Sequence, residues 1–278
     1  MKGMRWLALA GICGCNAILG IDPIHPVVDA QKFDAPIDAP FACPAPGIAP
    51  QFGSTLHDTF IQCAQYSVSS SAGVAMAMCS AGVSFGPIDQ MPLAIAPQPM
   101  GTIERAMLAP EGDRAFIQSF DTGTNTGNVV EYTRGSNGAW GPGSTVVAGL
   151  GSGLPISNPT RATAARHCVY STVNGLYELV ETGTGSWSQV SVHTLAELGL
   201  GSIGYPSLSE DGLRLVIGGT AQGQAGIWYA DRPTLDAPFG TATELFPGAS
   251  GLSPFMTSDC ARLYFEGPGA QIVYATQL

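Results

Sequence analysis

The chain has 278 residues, room for one large all-β domain or two ordinary ones, and its 36 glycines and 21 prolines suit short strands joined by tight turns. Only 12% of residues are charged, the formal net charge is −10, and lysine is confined to Lys2 and Lys32. With no basic stripe to displace counterions from phosphate, a nucleic-acid partner is excluded.

Lys2 and Arg5 precede an apolar run over residues 6–12, and Gly14 and Cys15 follow it. A charged start, a short apolar core and a small residue before a cut describe an export signal. The apolar stretch breaks at Asp22-Pro23, too early to span a bilayer comfortably. Ile12-Cys13-Gly14-Cys15 resembles the lipobox of bacterial lipoproteins, and the resemblance implies cleavage after residue 14 and a lipid on Cys15. The competing frame at Cys13 would put bulky Ile12 where the peptidase accepts a small side chain. Asn16 is not the aspartate that, in enteric bacteria, keeps lipoproteins in the inner membrane, so the resemblance favours the outer one. Plain secretion, or a signal anchor with coincidental cysteines, stays as the alternative.

Residues 15–50 read as an acidic tether rich in proline and alanine, with Asp-Ala-Pro at 34–36 and again at 38–40. Proline fixes φ and removes amide donors, which favours extended polyproline II over a sheet interior. At ~3.1 Å per residue such a segment reaches on the order of 100 Å. It serves either as a spacer from the membrane or as a low-complexity leader without a length requirement.

From residue 51 a hairpin followed by an aromatic-Gly element recurs. Hairpins over 59–81, 114–134, 167–181 and 214–231 lead to Phe85-Gly86, Trp140-Gly141, Trp187-Ser188 and Phe239-Gly240. A fifth hairpin over 262–276 has no such element after it, whereas Phe52-Gly53 stands before the first. The pattern predicts an all-β propeller of five blades, with six left open, closed by the strand near Phe52 completing the last blade. Asn174-Gly175 suits a tight hairpin turn. Asp113, Asp211 and Asp259 read as turn formers. YPSLSEDGLRLVIGG and SPFMTSDCARLYFEG resemble the repeats of TolB-type, WD-repeat-like β-propellers. The resemblance is clear over residues 205–278, fair over 104–134 and faint over 59–97 and 157–182; it implies a fold and is nearly silent on function.

Five cysteines remain beyond Cys13 and Cys15. Cys63 and Cys79 stand equally far from one hairpin turn, so a disulfide competes with two buried thiols. Cys43 with Cys260 would tie the tether to the last blade, leaving Cys168 as a small buried hydrophobe. Asp121 and Asn125 alternate oxygen side chains in a Gly-rich loop. Tyr132 stands where a calcium loop needs its bidentate Glu, so turn geometry is preferred and no metal or other cofactor is expected. His57, His167 and His193 are expected on separate blades, with no nucleophile elbow to make a Ser-His-Asp set. Asp58 and Glu104, expected on inner strands, would be the carboxylate pair of a glycoside-active enzyme. Arg105, Arg161 and Tyr205 are expected to line the channel. Trp140, Trp187, Trp228, Phe52, Phe85 and Phe239 read as packing between blades, or else as a sugar-stacking surface.

The sequence therefore predicts a signal over 1–14, a tether over 15–50 and a propeller over 51–278. The leading reading is a monomeric, non-enzymatic envelope lipoprotein, held in the membrane by its lipid, that binds a protein, peptide or glycan through its loops. A glycoside-active enzyme and a purely structural envelope protein are the alternatives.

Overall fold

The computed structural model describes residues 43–90, 94–150, 156–160, 165–172, 174–183, 186–246, 253–257, 259–267, 269 and 271–278. Cys15, Arg161, the signal and most of the tether lie outside these residues. β1 (His57–Asp58) is followed by blade 1, made of β2 (Cys63–Ser69), β3 (Val74–Cys79), β4 (Gly82–Pro87) and β5 (Ala94–Ile95). Blade 2 comprises β6 (Thr102–Leu108), β7 (Arg114–Asp121), β8 (Thr126–Thr133) and β9 (Ser144–Leu150). Blade 3 has β10 (His167–Thr172), β11 (Gly175–Gly183) and β12 (Ser186–Thr194), its inner edge marked by an Ile156–Tyr170 bridge. The single helical turn α1 (Leu195–Leu198) carries a Thr194–Glu197 capping box. Blade 4 is β13 (Ser202–Leu208), β14 (Arg214–Ala221), β15 (Gln224–Asp231) and β16 (Thr243–Phe246).

Blade 5 closes the ring. β17 (Phe255–Met256), β18 (Arg262–Gly267) and β19 (Gln271–Thr276) are completed by β1 from the other end of the chain, in the order β1-β19-β18-β17. His57 pairs with Tyr274, Phe52 bridges Gln277, and the Gly53 amide donates to the Thr276 carbonyl at 2.9 Å. The all-β, five-bladed propeller sealed near Phe52 is thus the fold, and five buried apolar clusters hold it, one at each blade interface. At the seam between blades 5 and 1, Tyr264, Tyr274 and Ile272 pack on Ile61, Tyr66 and Val68. Asp89 of blade 1 reaches back to Arg262 at 2.7 Å and accepts from the Tyr264 hydroxyl. Burial leaves the Asp89 carboxyl above its usual range despite that arginine.

The turn between the first two strands shows how sequence sets geometry. Gly112 and Gly212 adopt φ of 77° and 72°, and each amide donates to the carbonyl three residues back at 2.9 Å. In blade 5 the same place is taken by Cys260, with φ 58° and the equivalent bond to Thr257. A left-handed backbone costs an L-residue about 1–2 kcal/mol, which glycine avoids. Cys260 instead carries a disulfide to Cys43. Residues 43–50, expected as tether, are fastened to the ring there. The Gly47 amide donates to Asp231 and Arg214 donates to the Ile48 carbonyl, both at 2.8 Å. Asp211 and Asp259 accept from amides two residues on at 3.0 Å, as turn formers do; in blade 2 the matching position is Glu111 rather than Asp113.

Blade 1 is out of phase with the expected repeat. Its sequence hairpin supplies the two inner strands, so Phe85-Gly86 falls inside β4, the third strand. The aromatics sit between blades: Trp140 meets Phe85 edge-on at 5.2 Å, and Trp187 meets Phe116 at 5.9 Å. A second disulfide joins Cys63 to Cys79, directly opposed in the β2–β3 register, and Cys168 is a buried free thiol whose pKa burial raises. Among the described residues no helix is long and apolar enough to cross a membrane.

Candidate functional site

The structure does not bring the sequence-proposed carboxylate pair together. Asp58 lies on β1, the outermost strand of blade 5, exposed and accepting from the Phe60 amide and the Gln271 side chain. The reason is ring closure: the short N-terminal strand is consumed as an outer edge and never reaches the channel. Glu104 is on inner strand β6, where it accepts from Gln118 at 3.0 Å. Asp121, exposed, ends β7 at the β7–β8 turn and accepts from the Gly123 amide and the Thr124 hydroxyl, bonds that lower its pKa. Asn125 takes a left-handed φ of 56° in the same loop, so turn geometry accounts for both residues. Among the described residues, no group of three His, Cys, Asp or Glu side chains is placed to hold a metal ion.

Arg105 and Tyr205 do meet in the channel. Arg105 leaves β6 of blade 2 and donates through Nη2 to the Pro206 carbonyl of blade 4 at 2.8 Å. These blades are not neighbours, so the side chain crosses the axis. Its guanidinium carbon stands 5.0 Å over the Tyr205 ring, and Nε and Nη1 have no hydrogen-bond partner. Full burial without a facing carboxylate pushes its pKa down to about 9.

The more developed constellation lies between blades 3 and 4. Along antiparallel strands, residues two apart share a face, so the pairings His167↔Val180 and Leu176↔His193 put His167, Glu178 and His193 on one side of blade 3. His167 and His193, expected on separate blades, therefore belong to the same one, because the degenerate repeat hid that β12 completes it. Arg232, just beyond β15, enters this face fully buried. Its Nη1 donates to Glu178 Oε2 at 2.9 Å and its Nη2 stands 2.8 Å from Oε1. The fork is anchored behind by Nε to the Gly212 carbonyl at 2.7 Å and by Phe239, whose ring lies 4.4 Å beneath the guanidinium. His167 Nδ1 is 2.8 Å from Glu178 Oε1; an ionised carboxylate only accepts, so Nδ1 donates. Glu178 thus holds two partners in fixed geometry.

This group forms one wall of a cleft of about 570 Å³. His167, Glu178, Val180 and His193 line it from blade 3, Glu197 from α1, and Leu235, Asp236, Ala237 and Pro238 from the loop after β15. His193 is buried and packs on Phe239 at 5.4 Å, yet its Nε2 has no hydrogen-bond partner. Burial lowers its pKa, outweighing Glu178 and Glu197, so the ring is neutral near pH 7. Neither Glu178 nor Arg232 stood out in the sequence. The available signals were a carboxylate between Leu176 and Val180 on an apolar strand face, and an arginine opening a loop that ends in Phe239-Gly240. Arginine–carboxylate pairing recurs at the same spacing within blades, as Arg114–Glu131 and Arg214–Asp231.

No family model matches the sequence, and no curated protein matches it. Among solved structures, TolB from Acinetobacter baumannii is similar with 13% identity and a TM-score of 0.45, over 76% of this chain and 53% of that one. The chain thus spans about half the length of that TolB. The gluconolactonase XC5397 from Xanthomonas campestris has 10% identity and a TM-score of 0.48, over 85% of this chain and 98% of that one. Kuenenia stuttgartiensis hydrazine synthase has 11% identity and a TM-score of 0.45, over 76% and 70%.

Proposed function

We propose that the chain is a lipid-anchored binding module of the bacterial cell envelope, presenting the cleft between blades 3 and 4 to a protein, peptide or glycan ligand. One observation carries this reading. A cleft of about 570 Å³, within the range of ligand sites, has its central carboxylate already held by Arg232 and His167. Groups locked by buried partners recognise through fixed positions, and Glu178 is held in one orientation by Arg232 and His167. The anchor rests on the order of charge, apolar core and Cys15 in the sequence.

Two arms test it. Full-length protein is used to capture partners from detergent-solubilised envelopes, beside an Ala237→Trp variant that fills the cleft. A partner retained by the native chain and lost with the variant supports the reading; equal capture by both removes the cleft from it. Separately, Cys15→Ser releases the protein from the membrane fraction if the lipid is the anchor, and leaves it there if it is not.

A further inference from the structure

Among the described residues, the cleft walls carry three carboxylates, Glu178, Glu197 and Asp236, and two imidazoles, and no lysine or arginine. Arg232 reaches Glu178 from behind, its Nε donating to the Gly212 carbonyl and its Nη1 also to the Leu235 carbonyl, while Nη2 stands against Glu178 Oε1. That leaves Glu197 and Asp236 as rim carboxylates and His193 Nε2 as a buried nitrogen without a partner at the wall. A buried polar atom left unpaired costs free energy that a ligand atom relieves on binding. With its proton on Nδ1, a neutral imidazole offers Nε2 as an acceptor. Among the described lining side chains, the polar atoms left to a ligand, His193 Nε2 and carboxylate oxygens of Glu197 and Asp236, then accept, while Val180, Val190, Leu235 and Ala237 supply an apolar wall. Among the described residues no group of three His, Cys, Asp or Glu side chains is placed to hold a metal ion, and the apolar wall beside the acceptors suits an organic cation.

Resting on the binding-module reading, we propose that the cleft between blades 3 and 4 takes a primary alkylammonium group, its N–H donors directed to His193 Nε2 and the Glu197 and Asp236 carboxylates and its methylene stem on the apolar wall. A lysine side chain of a partner protein and a free polyamine share this chemistry. The groups facing His193 are Glu178 from β11, Glu197 from α1 and Arg232 from the loop after β15. Protonation of His193 at acid pH converts the acceptor into a donor with positive charge, so the ammonium is released as pH falls.

The test is calorimetric titration of the full chain with Nα-acetyl-lysine amide, 1,4-diaminobutane, Nα-acetyl-norleucine amide and hexanoate. At least one ammonium probe is expected to bind at least about tenfold more tightly than norleucine amide and hexanoate. The arm that binds identifies the source, side chain or free diamine. Glu197→Gln, which keeps the helix cap, combined with Asp236→Asn in its exposed loop, is expected to weaken that probe by about tenfold with an unchanged melting temperature. Binding of norleucine amide or hexanoate as tight as the ammonium probes, no heat from either ammonium up to about 10 mM, or an unaffected double variant overturns the proposal. Cleft-dependent capture of a partner, together with failure of both ammonium probes, would leave the binding module standing and refute only this ligand class.

Discussion

Breaking the Cys43–Cys260 bridge should destabilise the propeller more than breaking Cys63–Cys79. The first joins residues 217 apart and ties the start of the ring to its last blade; the second joins residues 16 apart within one hairpin. Loop-closure entropy assigns about 5 kcal/mol to the long link and about 3 kcal/mol to the short one. Cys260 adds a sharper comparison because it stands at a left-handed position with φ 58°, where blades 2 and 4 have glycine. Cys260→Gly loses the bridge but also relieves a backbone cost, so it should be milder than Cys43→Ser by about 1 kcal/mol although both remove the same bond. The assay is equilibrium unfolding in guanidinium, followed by tryptophan fluorescence in air-oxidised protein, for Cys43→Ser, Cys260→Gly and Cys63→Ser. Cys63→Ser as damaging as Cys43→Ser, or Cys260→Gly no milder than Cys43→Ser, would refute the reasoning.

Glu178→Ala strands buried Arg232 and removes the acceptor of His167, and should cost about 3–5 kcal/mol in urea unfolding, with Glu178→Gln costing less. The His193 pKa lies below its ordinary 6.5 in the folded state, so the unfolded chain binds the proton more readily there. Its contribution to stability is complete above that value and declines as pH falls below it. Against His193→Asn, the native chain should therefore lose stability between about pH 7.5 and pH 5, as denaturation midpoints will show. Arg105→Met exchanges an uncompensated buried charge for an apolar side chain of similar length. It should leave stability within about 1 kcal/mol or raise it, whereas a loss of about 3 kcal/mol would mean the Pro206 bond and the Tyr205 face outweigh desolvation.

The ring itself was legible because its signals are local and repeated. The β-branched run of β14, the Asp-Gly turn before Arg214 and the displaced Phe52-Gly53 each fix a strand, a turn or a seam without knowledge of distant residues. Blade 1 and blade 3 were harder to read. In blade 1 the hairpin supplies inner strands, which puts its aromatic-Gly pair out of phase, and in blade 3 the Ile156 bridge is what marks the inner edge among the described residues. Asp58 reads as an inner-strand residue yet pairs outside for a related reason: a short segment beside the seam carries the same letters either way, and only its partner β19 decides. The cleft was hidden because its chemistry joins residues far apart in sequence. Glu178 and Arg232 are 54 residues apart on different blades, and pairing across an interface leaves no periodic trace.

The most direct test of the account is site-specific photo-crosslinking in living cells that carry the full-length protein. A photoreactive residue at Val190, exposed on the rim of the cleft, is compared with one at Met100, still more open to solvent but on the blade 1–2 side of the ring. A discrete adduct is expected from position 190 and none from position 100. Adducts from position 100 alone would contradict the binding-cleft reading.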